Sequence, residues 1–157
     1  MADIKRPIGN HGVIGDLRTC ALVADDGTID YFCWPNLDSP SVFTALLDSD
    51  EAGVFSLTPD WKACRRQQLY LPDTNILQTR WLAAEGVAEI TDYMPICERQ
   101  DTRPRIIRRL KMVRGQGCFS LRCAPVHDYA RATPKAKLRD NAALFSADGQ
   151  PTLRLTS

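Results

Sequence analysis

Residues 15–43 read GDLRTCALVADDGTIDYFCWPNLDSPSVF and carry the strongest structural signals in the chain. Residues 17–24 and 28–34 are rich in apolar, β-branched and aromatic side chains, which favours two strands. Asp25-Asp26-Gly27 separates them, and Gly27 can take the positive φ that a tight hairpin needs. Both strands are apolar on both faces, so we predict a central hairpin that is covered on its two sides.

A polar loop and a short apolar segment follow this hairpin. Pro35 has no N–H to give a strand ladder, so it ends the second strand. Asp38-Ser39-Pro40 places a helix-capping residue before a proline that suits a first helical turn. We therefore predict one short helix over residues 41–47.

The rest of the chain reads as strand after strand, separated by glycine and proline turns. The strand-like segments are residues 54–58, 62–71, 75–83, 87–93, 105–114, 118–125, 141–147 and 151–156, whereas 126–138 reads as a loop. We predict hairpins that join the third segment to the fourth, the fifth to the sixth, and the seventh to the eighth. This pattern predicts an all-β fold, an antiparallel β-sandwich of the supersandwich kind, formed by one domain over residues 1–157.

The C-terminal end of the sequence, Arg154-Leu155-Thr156-Ser157, is still strand-like. We therefore expect that the domain is truncated here, that the natural chain continues, and that a sheet edge is left uncovered. An uncovered edge can pair with a second copy, so a homo-oligomer through this edge is an expectation of the sequence.

Charge and hydropathy exclude several partners. The chain has 20 basic and 19 acidic residues and a net charge of +1, which argues against a nucleic-acid partner and against an anionic membrane surface. No apolar run approaches the roughly 20 residues of a membrane-spanning helix. The N-terminal residues, MADIKRP, lack the apolar centre of a signal peptide. We expect a cytoplasmic protein with no membrane partner.

Six cysteines are present, and in the cytoplasm they are expected to be reduced thiols. They are Cys20, Cys33, Cys64, Cys97, Cys118 and Cys123. No two have Cys-x-x-Cys spacing and only two histidines accompany them, so we expect no zinc site and no other metal.

Two of these cysteines, Cys20 and Cys33, flank the central hairpin, and their pairing depends on its turn. A two-residue Asp26-Gly27 turn places Cys20 opposite Cys33, whereas a three-residue loop with a bulge places Cys20 opposite Phe32. The sequence leaves both registers open, and the compartment favours two reduced thiols in either.

An ordered set of short motifs runs along nearly the whole chain. Its members include Ile14-Gly15-Asp16, Asp26-Gly27-Thr28-Ile29-Asp30, Leu37-Asp38-Ser39-Pro40-Ser41-Val42-Phe43, Thr74-Asn75-Ile76-Leu77, Thr91-Asp92-Tyr93-Met94-Pro95 and His127-Asp128-Tyr129-Ala130-Arg131. With these motifs the sequence resembles the N-terminal domain of glycoside hydrolase family 15, the bacterial and archaeal glucoamylase and trehalase type. It departs from the family pattern at Tyr31, where an Asp-Trp dipeptide is common, and at Asn36-Leu37, where an arginine is usual.

The resemblance implies that this chain is one domain of a longer protein whose catalytic domain lies elsewhere. Proteins of this family have a β-sandwich, a linker and an (α/α)6 barrel, and two glutamates of the barrel hydrolyse α-glucosidic bonds with inversion. That barrel would be C-terminal to this chain and is its expected partner. The chain would be non-catalytic, would support the barrel, and would need no cofactor. The substrate, trehalose or another α-glucoside, would be bound by the parent enzyme.

Five residues are candidates for contact with substrate or with the barrel: Asp16, Arg18, Trp34, Asp38 and Ser39. The Asp38-Ser39 loop either helps to shape the sugar pocket or caps the predicted helix, and the two roles are compatible. Trp34 either stacks on a sugar or belongs to the core. Asp16 and Arg18, two residues apart on one strand face, either lock a neighbouring domain or form a plain salt bridge.

No acid–base pair stands out in the sequence. We expect Glu51, Glu85, Glu89 and Glu98 to be solvated surface carboxylates. The basic residues of 103–114 are expected on a solvated strand or a domain-interface ladder, and the His127-Asp128 pair lacks the serine of a hydrolase triad. An alternative function is a stand-alone carbohydrate-binding module with an aromatic platform at Trp34, Trp61 or Trp81.

Overall fold

The computed structural model describes residues 6–96 and 103–157. Within these residues the chain forms thirteen strands: β1 (His11–Gly15), β2 (Cys20–Ala24), β3 (Ile29–Cys33), β4 (Ser41–Phe43), β5 (Val54–Pro59), β6 (Arg65–Tyr70), β7 (Leu77–Leu82), β8 (Gly86–Tyr93), β9 (Ile107–Gly115), β10 (Phe119–Ala124), β11 (Lys135–Arg139), β12 (Ala142–Ser146) and β13 (Leu153–Thr156). The described residues also contain two 3-10 helices of one turn each, Ile8–Asn10 and Asp50–Ala52. No helix in these residues is long and apolar enough to cross a membrane. The predictions for Cys97 and Glu98 lie outside the described residues.

The strands form three antiparallel sheets, which confirms the predicted all-β class. The first sheet has the order β1-β2-β3-β5-β10, with β4 paired to β3; the second has the order β6-β7-β8-β9, and the third β11-β12-β13. The first two sheets face each other as a sandwich. Gln68 on β6 donates to the Val23 and Ala24 carbonyls of β2, and the Tyr70 hydroxyl bonds the backbone of Val13 on β1.

Most of the buried apolar residues lie between these sheets in two clusters. The larger one includes Ile14, Phe32 and Phe43, and Leu153 and Leu155 of β13 pack against its edge. The smaller one is centred on Trp81, which is 1% exposed. The third sheet is thereby attached to the sandwich by apolar contact.

The central hairpin combines a three-residue loop with a bulge. The amide of Ala24 donates to the carbonyl of Thr28 at 2.8 Å, so residues 25–27 form the loop. The register shifts between Leu22 and Val23, after which Ala21 lies opposite Phe32. The prediction that this loop would set Cys20 against Phe32 is therefore wrong, because the bulge inserts one extra residue into β3.

The predicted helix over residues 41–47 is wrong. Ser41–Phe43 is strand β4, which pairs with β3 and is buried at all three residues, and a turn follows at residues 45–47. A seven-residue helix is marginal by itself, and Val42 and Phe43 are residue types that suit a sheet. Burial against β3 therefore decides the conformation.

Two connections also differ from prediction. β9 and β10 do not form a hairpin: β10 pairs with β5, so the chain crosses from the second sheet to the first at residues 116–118. The indole of Trp61 packs against Gly117 in this crossing, where an added Cβ would lie 2.7 Å from it. Strand β11, Lys135–Arg139, is an exposed edge strand, although residues 126–138 are predicted as a loop.

The predicted hairpins of β7 with β8 and of β12 with β13 are confirmed.

Candidate functional site

The five candidate residues lie on two neighbouring loops at one end of the first sheet. Asp16 and Arg18 belong to the turn between β1 and β2, and Trp34, Asp38 and Ser39 belong to the connection between β3 and β4. The amide of Leu37 donates to the carbonyl of Arg18 at 3.0 Å and joins the loops directly. We call residues 16–19 and 34–39 together the loop face.

The first half of the loop face is a tight turn organised by Asp16. Its Oδ1 accepts hydrogen bonds from the amides of Arg18 and Thr19, both at 3.0 Å, and its own amide donates to the carbonyl of Thr19. The expectation that Asp16 and Arg18 share a strand face is wrong, because an Asp side chain that bonds amides two and three residues on closes a turn instead. Asp16 itself is buried.

Leu17, at the tip of this turn, combines two unfavourable features. Its φ is 72°, in the left-handed region that a leucine rarely adopts, and its side chain is 89% exposed. Leu37 on the adjoining loop is 58% exposed. The loop face therefore presents two apolar side chains to its surroundings on a backbone that hydrogen bonds hold in place.

The second half of the loop face is also closed by hydrogen bonds. Ser39 donates its amide to the carbonyl of Asn36, and its Oγ accepts from the amide of Asn36 at 3.1 Å. The helix-capping role predicted for Asp38 and Ser39 is wrong, since no helix follows them. Asp38 is exposed, and its carboxylate can accept hydrogen bonds from a ligand or from another domain.

The base of the loop face is fixed to the sheet. The hydroxyl of Thr19 donates to the carbonyl of Cys33 at 2.7 Å, and the amide of Trp34 donates to the carbonyl of Pro40. Trp34 is half-buried and packs against the larger core cluster, and its peptide bond to Pro35 is cis. Its indole N–H is buried without a hydrogen-bond partner among the described residues.

The other two tryptophans belong to the smaller core cluster or pack against it. Trp81 is buried in the smaller core cluster, so its predicted role as an exposed platform is wrong. Trp61 is half-buried and meets Phe119 edge-on, with ring centroids 6.1 Å apart. Both rings are used for packing between the sheets.

The buried carboxylates of the described residues are all engaged by other groups. Asp30 lies 3.0 Å from Nε2 of His11, Asp92 lies 2.9 Å from Nε of Arg108, and Glu89 bonds Arg80. Burial raises the pKa of Asp30. The expectation of a solvated Glu89 is wrong, because Arg80 and Lys111 flank it on the neighbouring strands. Glu51 and Glu85 are exposed, as predicted.

Arg108 is buried, so the prediction that the basic residues of 103–114 lie on a solvated strand or a domain-interface ladder is wrong for this residue. Its side chain is only 3% exposed, and besides Asp92 it donates to the carbonyl of Phe55 on β5 of the opposite sheet and to that of Gly27 in the loop between β2 and β3. Alternation along a strand places Arg108 on the face opposite to Arg109 and Lys111. The aspartate at position 92 on the neighbouring strand is the signal that could have identified its partner.

His127 is a second buried polar residue whose surroundings the sequence did not reveal. It is 1% exposed, its Nε2 has no partner among the described residues, and burial lowers its pKa. Asp128, Tyr129 and Ala130 follow it with positive φ, and Asp128 lies 3.9 Å from Arg131. Within the described residues no group of three His, Cys, Asp or Glu side chains could hold a metal ion.

Comparison with known proteins places this β-sandwich within a class. The sequence model of a family described as trehalase-like, N-terminal, matches residues 2–156. The chain therefore belongs to the trehalase-like N-terminal family. No solved structure matches it.

Several curated relatives are trehalases. The trehalase of Mycolicibacterium smegmatis is 32% identical, over 96% of this chain and 26% of that protein. Trehalase 1 of Sulfolobus acidocaldarius is 39% identical, over 85% of this chain and 22% of that protein. The chain thus spans about a quarter of the length of these relatives.

Proposed function

We propose that this chain is the non-catalytic N-terminal domain of a trehalase-like glycoside hydrolase, and that its loop face packs on the catalytic barrel of the same protein. The whole protein would hydrolyse an α-glucosidic bond with inversion, one glutamate of the barrel protonating the leaving oxygen while the other activates water. The names of the relatives make trehalose the first substrate to test. Maltodextrin is the second, because the resemblance also covers glucoamylases.

One observation carries this proposal: a family of N-terminal domains matches nearly the whole chain, yet the chain spans about a quarter of the matching trehalases. Two structural features agree with it. The buried carboxylates of the described residues bond basic side chains or backbone amides, which suits structural rather than catalytic roles. Leu17 and Leu37 are exposed on a fixed backbone, which suits contact with another domain.

The test starts from the coding sequence downstream of Ser157. We expect it to encode an (α/α)6 segment, and we expect the full protein to release glucose from trehalose while the 157-residue chain releases none. Replacing either of the two barrel glutamates by glutamine should abolish the activity of the full protein. A stop codon directly after Ser157, or hydrolysis by the 157-residue chain, would contradict the proposal.

The alternative function is a stand-alone carbohydrate-binding module. Of the three tryptophans, half-buried Trp34 lies on the loop face and is the first platform residue to test for this function. Calorimetric titration of the 157-residue chain with trehalose and with maltodextrin separates the two functions. Binding at millimolar or lower concentration, lost in Trp34→Ala, would favour the module, whereas no heat of binding would favour the docking role.

A further inference from the structure

The two cysteines at the ends of the central hairpin lie side by side. The register that pairs Ala21 with Phe32 and Leu22 with Tyr31 continues by one residue to place Cys20 opposite Cys33. Directly opposed residues share a sheet face, with Cβ atoms about 4.5–5.5 Å apart. A disulfide needs Cβ atoms about 3.5–4.5 Å apart, so a shift on the order of 1 Å brings the two sulfurs to bonding distance.

The neighbouring strands leave room for such a bond. Cys20 pairs on its other side with Gly15, which has no side chain, and Cys33 pairs on its other side with Ser41, which is small. Both cysteines are free thiols in this structure, and Sγ of Cys33 donates to the hydroxyl of Tyr31 at 3.5 Å.

The two thiols differ in access to solvent. Cys20 is half-buried, whereas Cys33 is 1% exposed. A reagent in solution can therefore reach the thiol of Cys20 first. The thiol of Cys33 is then close enough to react with an adduct on the Cys20 sulfur.

We propose that Cys20 and Cys33 form a redox-active thiol pair that a small-molecule disulfide oxidises to an intramolecular cross-strand disulfide. The Cys20 thiolate attacks one sulfur of the disulfide and expels one thiolate, leaving a mixed disulfide on Cys20. Cys33 then loses its proton to solvent and attacks the Cys20 sulfur, which expels the second thiolate. Two protein thiols are oxidised, and one small disulfide is reduced to two thiols.

The bond would form directly beneath the loop face, between the residue after Thr19 and the residue before Trp34. It would tie the turn of residues 16–19 to the start of the 34–39 connection through a covalent link. This inference concerns a modification site, and it does not depend on the proposed function.

The experiment treats the folded 157-residue chain with glutathione disulfide at pH 8.5, blocks remaining thiols with N-ethylmaleimide, and maps the products by mass spectrometry. Trypsin leaves Cys20 and Cys33 as the two cysteines of a single peptide, residues 19–62. We expect this peptide to lose about 2 Da, the two hydrogens of disulfide formation. Cleavage before Asp25 and Asp30 should then leave two fragments that reduction separates.

Single variants test the order of events. In Cys33→Ser, Cys20 should accumulate one glutathione, because the resolving thiol is gone. In Cys20→Ser, Cys33 should react at least about tenfold more slowly than Cys20 does in Cys33→Ser. Exposed Cys118, which should take up glutathione in every sample, is the internal control.

Three results would overturn the proposal. They are a 19–62 peptide that stays fully alkylated while Cys118 is modified, a glutathione adduct that persists on Cys20 in the unmutated chain, and equal reaction rates of Cys20 and Cys33 in the two variants. Because the first two are measured on the unmutated chain, they test the proposal even where a variant fails to fold.

Discussion

The guanidinium of Arg108 connects the two large sheets. It bonds Asp92 on the adjacent strand and the carbonyls of Phe55 and Gly27 across the sandwich, and it lies 4.8 Å from the centre of the Phe55 ring. Arg108→Met should lower the free energy of unfolding by about 3–5 kcal/mol, because it leaves the Asp92 carboxylate buried without its counter-charge. Urea unfolding followed by circular dichroism measures this loss.

A control and a double variant separate charge pairing from other effects of substitution. Arg109→Met, on the exposed face of β9, should change stability by less than about 0.5 kcal/mol. Arg108→Met combined with Asp92→Leu should be more stable than Arg108→Met alone, because no unpaired buried charge is left. Equal losses in Arg108→Met and Arg109→Met would refute a structural role for the buried pair.

Asp26, in the hairpin loop, gives a pH-dependent prediction. Burial opposes its ionisation, but hydrogen bonds from Arg6 and from the amide of Thr28 outweigh burial and hold the pKa of Asp26 below its usual value. A lowered pKa in the folded state means that this contribution is complete above the ordinary pKa of 3.8 and is lost as the pH falls through the folded value.

Asp26→Asn should therefore destabilise the protein by about 1–2 kcal/mol at pH 7 and by less at pH 3. Urea unfolding at both pH values measures the difference. Asp25→Asn is the matched control, since Asp25 lies in the same loop, is more exposed, and is 3.7 Å from Arg66. A destabilisation by Asp26→Asn that is the same at both pH values would show that charge is not the cause.

The same loop determines the central hairpin as an element. Gly27 has a φ of 79°, and an added Cβ would lie 2.9 Å from the Trp81 ring. Gly149, in the turn before β13, has a φ of 71° with nothing within 4 Å of an added Cβ. Both glycines have the left-handed conformation, but only Gly27 lacks space for a side chain.

Gly27→Ala should therefore destabilise the protein by about 1–3 kcal/mol more than Gly149→Ala, the excess being the cost of overpacking against Trp81. Thermal and urea unfolding of the two variants give this comparison. Equal losses would mean that the backbone conformation, and not the contact with the indole, makes glycine necessary at position 27.

The elements that the sequence predicted correctly are those with local signals. Turn residues and alternation place β7 and β8, because their pairing needs only a short hairpin. The segment of residues 41–47 has apolar residues at both helical and strand spacing, and burial of Phe43 against Phe32 decides between them. The pairing of β10 with β5 joins residues that are from 60 (Phe119 with Pro59) to 70 (Ala124 with Val54) positions apart, and no local pattern encodes it.

The same distinction holds for the candidate site. The motif around Asp38 predicts the second loop, whereas the apolar pattern predicts a strand over residues 17–24, so the turn at residues 16–19 is missed. The two loops are joined by the hydrogen bond from Leu37 to Arg18, and the pairing of β1, β2 and β3 brings them together, so no local pattern predicts the contact. The positive φ of Leu17 has no sequence signal, because leucine is a residue type that avoids this conformation.

At the scale of the whole molecule, substitution of Leu17 tests whether the loop face packs on the catalytic barrel. A leucine with a φ of 72° costs about 1–2 kcal/mol of backbone strain, and an 89% exposed side chain recovers little of it within this domain. Backbone strain that no contact within the domain offsets is a reason to look for a functional role of the residue. Leu17→Gly should therefore leave the 157-residue chain equally stable or more stable by up to about 1 kcal/mol, since glycine adopts this φ without strain but has more freedom when unfolded.

In the full protein, the same Leu17→Gly change should act in the opposite direction. Losing an apolar contact with the barrel should lower its thermal unfolding midpoint and its rate of trehalose hydrolysis at elevated temperature, because the side chain contributes its burial only when the barrel covers it. Leu138→Gly is the matched control: Leu138 is 80% exposed on β11, outside the loop face, and no domain contact is assigned to it. If Leu17→Gly and Leu138→Gly affect the full protein equally, the loop face is not where the barrel docks.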